Sequence, residues 1–300
     1  MRARFYLMGL VLVLVSAMTA PAATKQHSSA GAAKKHAAKP AVSSTISRDP
    51  YIGAIVVVAA SGRVLFNDNA DVAGYPASVV KLMDLLIIME NVRQGTLKLT
   101  DTVTVAPEAA DIGGSHIELK EKETFSIDDL LYALMVKSAN DAATALAIHV
   151  AGSEQAFVEL MNRKARELGM ISTRFHSVHG LTTKRGQAHD KATARDLSLL
   201  ARAVLKYPDT LRYSSTKRFT FRNGTFNINN HNHLLGVVEG CDGLKTGYFV
   251  KAGFSIVATA KRNNVRIIAV VLGSRSRQTR DLKAKELLAK GFLMLPPPAP

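Results

Sequence analysis

Three short groups of residues carry side chains able to do chemistry together. The first is Ser78-Val79-Val80-Lys81. On a helix, residues i and i+3 share a face, so the Ser78 hydroxyl and the Lys81 amine lie side by side. A serine hydroxyl is a weak nucleophile until a neighbour takes its proton. A lysine can do so once burial or another cation lowers its pKa. The helix N-terminus adds free backbone N–H groups for a developing oxyanion. The second group is Ser138-Ala139-Asn140. Its hydroxyl can pass a proton, and its amide can bind a peptide carbonyl or N–H. The third is Lys245-Thr246-Gly247. On a strand edge, Lys245 and Thr246 can bind a carboxylate while Gly247 lets a substrate backbone approach closely.

Each group alone has an ordinary alternative. Most helical lysines are solvated. Asn140 suits a helix C-cap and Gly247 a turn. A second Ser-x-x-Lys, Ser214 to Lys217, sits beside a strand-like run, where i and i+3 face opposite ways, and reads as coincidence. Cys241 with His231 and His233 suggests a thiol nucleophile or a metal site, but a single Cys is more often a small buried hydrophobe. No metal site and no cofactor are expected. What gives the three groups weight is their joint occurrence in one order, with a strongly apolar helix behind Lys81.

The elements that must position them are legible as patterns. Ile52 to Ala60 is a buried strand candidate that turns at Ser61-Gly62 and returns over Arg63 to Asn67. Ser78 to Gln94 reads as a helix ended by Gly95. Ser126 to Lys137 is a second helix, with Ser126 at its N-cap and Asp129 three residues on. Ser153 to Leu168 and Thr193 to Lys206 are further helices. Lys217 to Arg222 leads into an Asn223-Gly224 turn. Gly253 to Ala260 and Val265 to Leu272 are apolar runs joined across Asn263-Asn264, and Ser276 to Phe292 is a closing amphipathic helix. Adjacent strands with short turns imply an antiparallel sheet, covered by helices.

Composition sets the surroundings. The 300 residues are 47% hydrophobic and 21% charged, as in a globular protein, and the single Cys excludes an internal disulfide. Residues 1–23 run from Arg2 and Arg4 through an apolar stretch to small residues, the order of a secretory signal peptide. Residues 24–48 are a basic Ala/Lys/Ser/His-rich linker with too little apolar surface to fold. Residues 49–293 form one domain, and 294–300 a Pro-rich tail. Of the formal +15, seven charges lie in residues 1–48 and eight remain on the body. Such a protein is drawn to anionic wall polymer or membrane surfaces. With no Trp and no interleaving of basic and aromatic residues, nucleic acid is not an expected partner.

The Ser-x-x-Lys, Ser-x-Asn and Lys-Thr-Gly set, in this order, resembles that of the active-site-serine penicillin-interacting enzymes. Flanking residues extend the likeness: Pro76 to Met83, Ser138 to Ala143, His179-Gly180-Leu181, Ala194-Arg195-Asp196-Leu197 and Asp242 to Gly247. From about 50 to 293 the chain resembles a low-molecular-mass penicillin-binding protein, a serine-type D-alanyl-D-alanine carboxypeptidase. The resemblance implies an α+β fold: an antiparallel sheet of about five strands between helices, with a helical region carrying Ser-x-Asn. It implies Ser78 as acylated nucleophile, Lys81 as general base, and Ser138 as proton relay. Asn140 would hold the substrate amide. Lys245, Thr246 and Arg280 would meet the substrate carboxylate, and the N–H groups of Ser78 and Tyr248 would form the oxyanion hole. Peptidoglycan stem peptides would be substrates and β-lactams covalent inhibitors, at the periplasmic or wall side of the membrane.

The chain also departs from the pattern. Tyr248 follows Gly247 where several members have His. His231 stands where relatives carry Arg or a polar residue. Asp84 replaces a small hydroxyl residue and is placed to pair with Lys81. A C-terminal β-rich domain and amphipathic anchor, present in longer members, are not expected here. A D-alanyl-D-alanine endopeptidase is the near alternative, although its second motif usually carries an extra residue. A class A β-lactamase needs a deacylating Glu, and Glu154, Glu159 and Glu167 lack the Asn four residues on. A non-catalytic wall-binding protein would usually have lost Ser78 or Lys81.

Overall fold

The apolar runs at both ends of the body meet in a single sheet. The computed structural model describes residues 51–182, 186–222 and 224–296. The expected signal segment 1–23 and linker 24–48, Asn223 of the Asn-Gly turn, and tail residues 297–300 lie outside the described residues. Strands β1 (Gly53–Val58) and β2 (Val64–Asp68) form the first hairpin. Strands β3 (Cys241–Phe249), β4 (Gly253–Arg262) and β5 (Val265–Ser274) form a C-terminal meander. The order is β2-β1-β5-β4-β3, and every pair is antiparallel.

Alternation along the strands explains the layers. Ile55, Val57, Ile268, Val270 and Leu272 pack into the larger core, while Ala54, Val56, Ile267, Ala269 and Val271 pack into the smaller one. Successive residues of a strand face opposite sides, so a sheet apolar on both faces needs a cover on each. Helices α1 (Lys81–Gln94), α2 (Ile127–Tyr132), α3 (Asn140–Ala151), α4 (Glu154–Glu167) and α5 (Ala194–Val204) contribute to the larger core. Helix α6 (Arg277–Leu293) covers the other face through Ala284, Leu287 and Leu288. Among the described residues no helix is long and apolar enough to cross a membrane.

Expected caps are in place. Ser126, Ser153, Thr193 and Ser276 each accept an N–H from the third residue on. Gly95 ends α1 in the left-handed conformation. Two local differences matter for the site. The helix expected from Ser78 begins as a tight 3-10 turn, Ala77–Val80, before becoming α-helical at Lys81. The helix expected to run to Lys137 ends at Tyr132 and widens into a π-turn, Ala133–Lys137. The expected strand Lys217 to Arg222 is shorter, Arg218–Phe221, and pairs with Phe226–Asn229. Helix α3 starts at Asn140, directly after Ser138-Ala139, so Asn140 opens a helix and is not a C-cap.

Candidate active site

The turn bearing Ser78 is bent sharply. Ala77, just before it, has φ 50°, a left-handed conformation unusual for a residue with a Cβ. Ser78 is half-buried, with its hydroxyl 3.1 Å from the Lys81 Nζ. Lys81 is 0% exposed. Its nitrogen also lies 2.7 Å from Asn140 Oδ1 and 3.0 Å from the His179 carbonyl oxygen. Three neutral oxygens therefore surround one nitrogen. As an ammonium, Lys81 donates to all three. As a neutral amine it donates to Asn140 and His179 and accepts from the Ser78 hydroxyl. Burial pushes its pKa down to about 7, against the pull of nearby carboxyl groups, Asp84 first and then Asp141 and Asp190. The neutral, proton-accepting form is thus available near neutrality.

The expected pairing of Asp84 with Lys81 is not formed. Asp84 is buried one turn along α1, and neither carboxyl oxygen has a hydrogen-bond partner. A buried carboxylate without partners is costly, so burial holds this carboxyl well above the usual carboxylate range.

The π-turn delivers Ser138. It ends with Ser138 itself in the left-handed region, φ 63°. The Ser138 hydroxyl accepts from Lys245 Nζ at 2.8 Å, and Lys245 also donates to the Thr246 carbonyl at 3.0 Å. Lys245 is 2% exposed, on edge strand β3. Burial, together with the charges of Lys81 and Arg280, holds its pKa well below the usual lysine value. Two lysines thus each address one serine of the site.

Asn140 lines the cleft but is more committed than expected. Its oxygen accepts from Lys81, and its Nδ2 donates to the Gly113 carbonyl at 2.7 Å. The Asn140 N–H donates to Ser115 O, and the Asp141 carboxylate accepts from the N–H groups of Ile117 and Leu119. The loop beside the second motif is therefore tied to the first turn of α3. What remains of the amide for a ligand is a second N–H and the second lone pair of its oxygen.

His179-Gly180 closes the back of the site, a contribution visible in the sequence only through the resemblance. The His179 carbonyl accepts from both Ser78 Oγ (3.3 Å) and Lys81. Its buried ring accepts from Leu181 N–H through Nδ1, which leaves the proton on Nε2. Burial, then the nearby Lys81 charge, pushes this imidazole down to about 3, so it stays neutral. Gly180 has φ +90°, and a Cβ there would lie 2.3 Å from the Ala77 carbonyl. Behind it, Ser177 donates to the buried Asp190 and accepts from Gly180 N–H. Nothing in the sequence pattern marked Asp190 for this support.

Gly247 makes the matching approach from β3. A Cβ there would sit 2.5 Å from the Pro76 carbonyl and 3.1 Å from the Ser78 nitrogen. Lys-Thr-Gly is therefore pressed against the nucleophile turn because its third residue has no side chain. A cleft of about 460 Å³ opens between these parts, lined among others by Ser78, Ser138, Asn140, Thr246, Gly247 and Arg280. Tyr248 and His231 also line it. Tyr248 is half-exposed and stacks on Phe254 with ring centres 4.1 Å apart. Arg280 is buried, its Nε donating to Asp281 at 2.8 Å.

The remaining candidates stand apart. Ser214 lies at the end of a short helix, Thr210–Ser215, and the Ser-x-x-Lys runs from there to the edge of the strand Arg218–Phe221, beside a strand as its sequence suggested. It is fully buried and donates to the Asp242 carbonyl, while Lys217 is exposed. Cys241 is half-buried, and burial raises its thiol pKa, which disfavours a thiolate nucleophile. Glu154, Glu159 and Glu167 do not line the cleft.

Known proteins resemble this chain in sequence and fold. The sequence profile of the D-alanyl-D-alanine carboxypeptidase family, Peptidase S11, matches residues 38–276. D-alanyl-D-alanine carboxypeptidase DacF of Bacillus subtilis is 36% identical over 242 residues, 80% of this chain and 61% of that protein. The D-alanyl-D-alanine endopeptidase of Pseudomonas aeruginosa is 31% identical over 240 residues, 78% of this chain and 74% of that protein. Penicillin-Binding Protein D2 from Listeria monocytogenes, solved in its ampicillin-bound form, matches with a TM-score of 0.73 at 31% identity, covering 81% of this chain and 97% of that one. The chain spans about three fifths of the length of the carboxypeptidases it matches. The five-stranded antiparallel sheet between helices is the fold of the penicillin-binding proteins. Profile, relatives and fold agree, and this chain belongs to the D-alanyl-D-alanine carboxypeptidase family, Peptidase S11.

Proposed function

We propose that this protein is an exported serine D,D-carboxypeptidase that removes the terminal D-Ala from peptidoglycan stem peptides. The observation that carries this reading is the buried Lys81 amine within hydrogen-bond reach of the Ser78 hydroxyl, in a cleft walled by Lys-Thr-Gly. In this account Lys81 takes the Ser78 proton as Ser78 Oγ bonds to the carbonyl carbon of the penultimate D-Ala. The N–H groups of Ser78 and Tyr248 bear the oxyanion. The C–N bond then breaks, and the proton reaches the leaving amine with Ser138 and Lys245 as relay. Thr246, Lys245 and Arg280 hold the terminal carboxylate, and Asn140 the substrate backbone. Water hydrolyses the acyl-enzyme. β-Lactams enter the same site and acylate Ser78, a reading supported by the ampicillin-bound relative. The N-terminal order of charge, apolar run and small residues supports export to the periplasm or wall side. The +5 linker is then a tether, drawn to anionic wall polymer or membrane surface.

The test is D-Ala release from a soluble peptide ending in D-Ala-D-Ala, measured across pH. Lys81 is the base, and its pKa is lowered to about 7. Below that pH it is an ammonium and cannot accept a proton; above it the amine is free. Release is therefore expected to climb roughly tenfold per pH unit on the acid side and to level off above about 7. No release, or a rate that falls as pH rises from 5 to 7, would remove this reading.

A further inference from the structure

Among the described residues four aspartates are buried: Asp84, Asp141, Asp190 and Asp196. Three of them are answered by donors. Asp141 accepts from the N–H groups of Ile117 and Leu119, Asp190 from those of His176 and Ser177, and Asp196 from Ser172 N–H and the Thr173 hydroxyl. Asp84 accepts from none. Thr144, one turn beyond Asn140 on α3, is buried with its own hydroxyl unpartnered, so it does not serve Asp84 either. Asp84 also stands where the resembling enzymes carry a small hydroxyl residue, so the acid is a feature of this chain.

What answers Asp84 is charge. It follows Lys81 by three residues on α1, a spacing that brings helical side chains within a few ångströms. The Lys81 nitrogen is held by neutral oxygens of Ser78, Asn140 and His179, so this cation has no anion in contact and the acid has no donor. In so dry a place each charge is easier to carry when the other is present. Asp84 is the first of the acids that pull Lys81 up, ahead of Asp141 on α3 and Asp190. The Lys81 ammonium in turn pulls Asp84 down from where burial alone would put it, while Asp190 and Glu154, at the start of α4, push it up. Lys245 on β3 turns a like charge toward Lys81, and the His179 ring stays neutral.

We propose that Asp84 sets the pH at which Lys81 serves as the base: over the acid limb its ionised carboxyl holds the proton on Lys81, and the pair decides when Ser78 becomes reactive. This inference rests on Lys81 being the base of the proposed carboxypeptidase. When Lys81 accepts the Ser78 proton, the ammonium forms beside a carboxylate that offsets its charge. Asp84 does not line the cleft and acts through Lys81, which makes it a positioning residue.

Acylation by a fluorescent penicillin, followed from pH 5 to 9, tests this in the wild type, Asp84→Asn and Asp84→Thr. Asn keeps the shape and removes the charge; Thr restores a small hydroxyl. Without the carboxylate Lys81 gives up its proton more easily, so the midpoint of the acid limb should fall by about one pH unit in both variants. At pH 5 each should then run at a roughly tenfold larger fraction of its own plateau rate than the wild type does. A weaker base draws the serine proton less strongly, so neither plateau should rise. A role in packing alone would lower the rates and leave the midpoint in place. An unmoved midpoint, or one that rises, would overturn the proposal. So would a wild type in which no aspartate carboxyl-carbon NMR signal moves across the acid limb, a reading that needs no variant to fold. A wild type that takes up no penicillin at any pH would overturn the carboxypeptidase reading as well.

Discussion

Ser78→Ala is expected to leave a folded protein that takes up no penicillin and releases no D-Ala. The side chain is half-buried and its local bonds are few: it accepts from Lys81 and donates to the His179 carbonyl at 3.3 Å. Lys81 keeps its other two oxygen partners in the variant. The stability cost is therefore about 1 kcal/mol, the scale of one net hydrogen bond. Turnover should fall by roughly 10⁶-fold, the scale seen when a hydrolase loses its serine nucleophile. Thermal melting checks the first statement, and peptide cleavage with gel fluorescence checks the second. An alanine variant that is still acylated would mean that another residue attacks. Ser214 is not a credible substitute, because it is fully buried and its hydroxyl is engaged with Asp242.

Lys81→Arg is the second large effect. The change keeps a cation but removes the base, since a guanidinium does not give up its proton near neutral pH. Acylation should drop by roughly 10³-fold, within the range assigned to general-base catalysis. Lys81 is 0% exposed, so the larger head group also strains its surroundings. Lys81→Met serves as the companion, with a similar stem and no ionisable group. Both variants should acylate at this reduced rate at every pH from 5 to 9, so the acid limb expected of the wild type disappears with the base. Stopped-flow acylation by a fluorescent penicillin measures this. If Lys81→Met acylated at near wild-type rate with an unchanged acid limb, the titrating base would be another group, and Lys245 would be the next to examine.

Much of this was legible in the chain because it depends on local chemistry. Serine and threonine caps on the helices are decided within three residues. The apolar runs Ile52 to Ala60, Gly253 to Ala260 and Val265 to Leu272 marked themselves as strands by composition. Ser78 and Lys81 are neighbours by helical spacing. What escaped depends on residues far apart. The His179 carbonyl reaches Ser78 across 101 positions, and no periodicity signals a backbone acceptor. Asn140 reads as a free amide until the fold brings Lys81 to it. The π-turn that aims Ser138 inward looks like ordinary helix, because its residues Ala133 to Lys137 are ordinary helix formers. Asp84 looked like an ion-pair partner because helical spacing puts it on the Lys81 side, yet its carboxyl is orphaned by its packing. The left-handed Ala77 sits in a turn that Gly180 and Gly247 approach closely, and both approaches join residues far apart in the chain.

The central claim is that Ser78 is the acylated nucleophile of this cleft. Peptide mass mapping of the wild-type protein after incubation with benzylpenicillin tests it most directly. One penicilloyl group per chain is expected, confined to the peptide containing Ser78 and resolved to that side chain by fragmentation. An adduct on Ser138, Ser214 or Cys241, or a protein that stays unmodified at saturating penicillin, would contradict it.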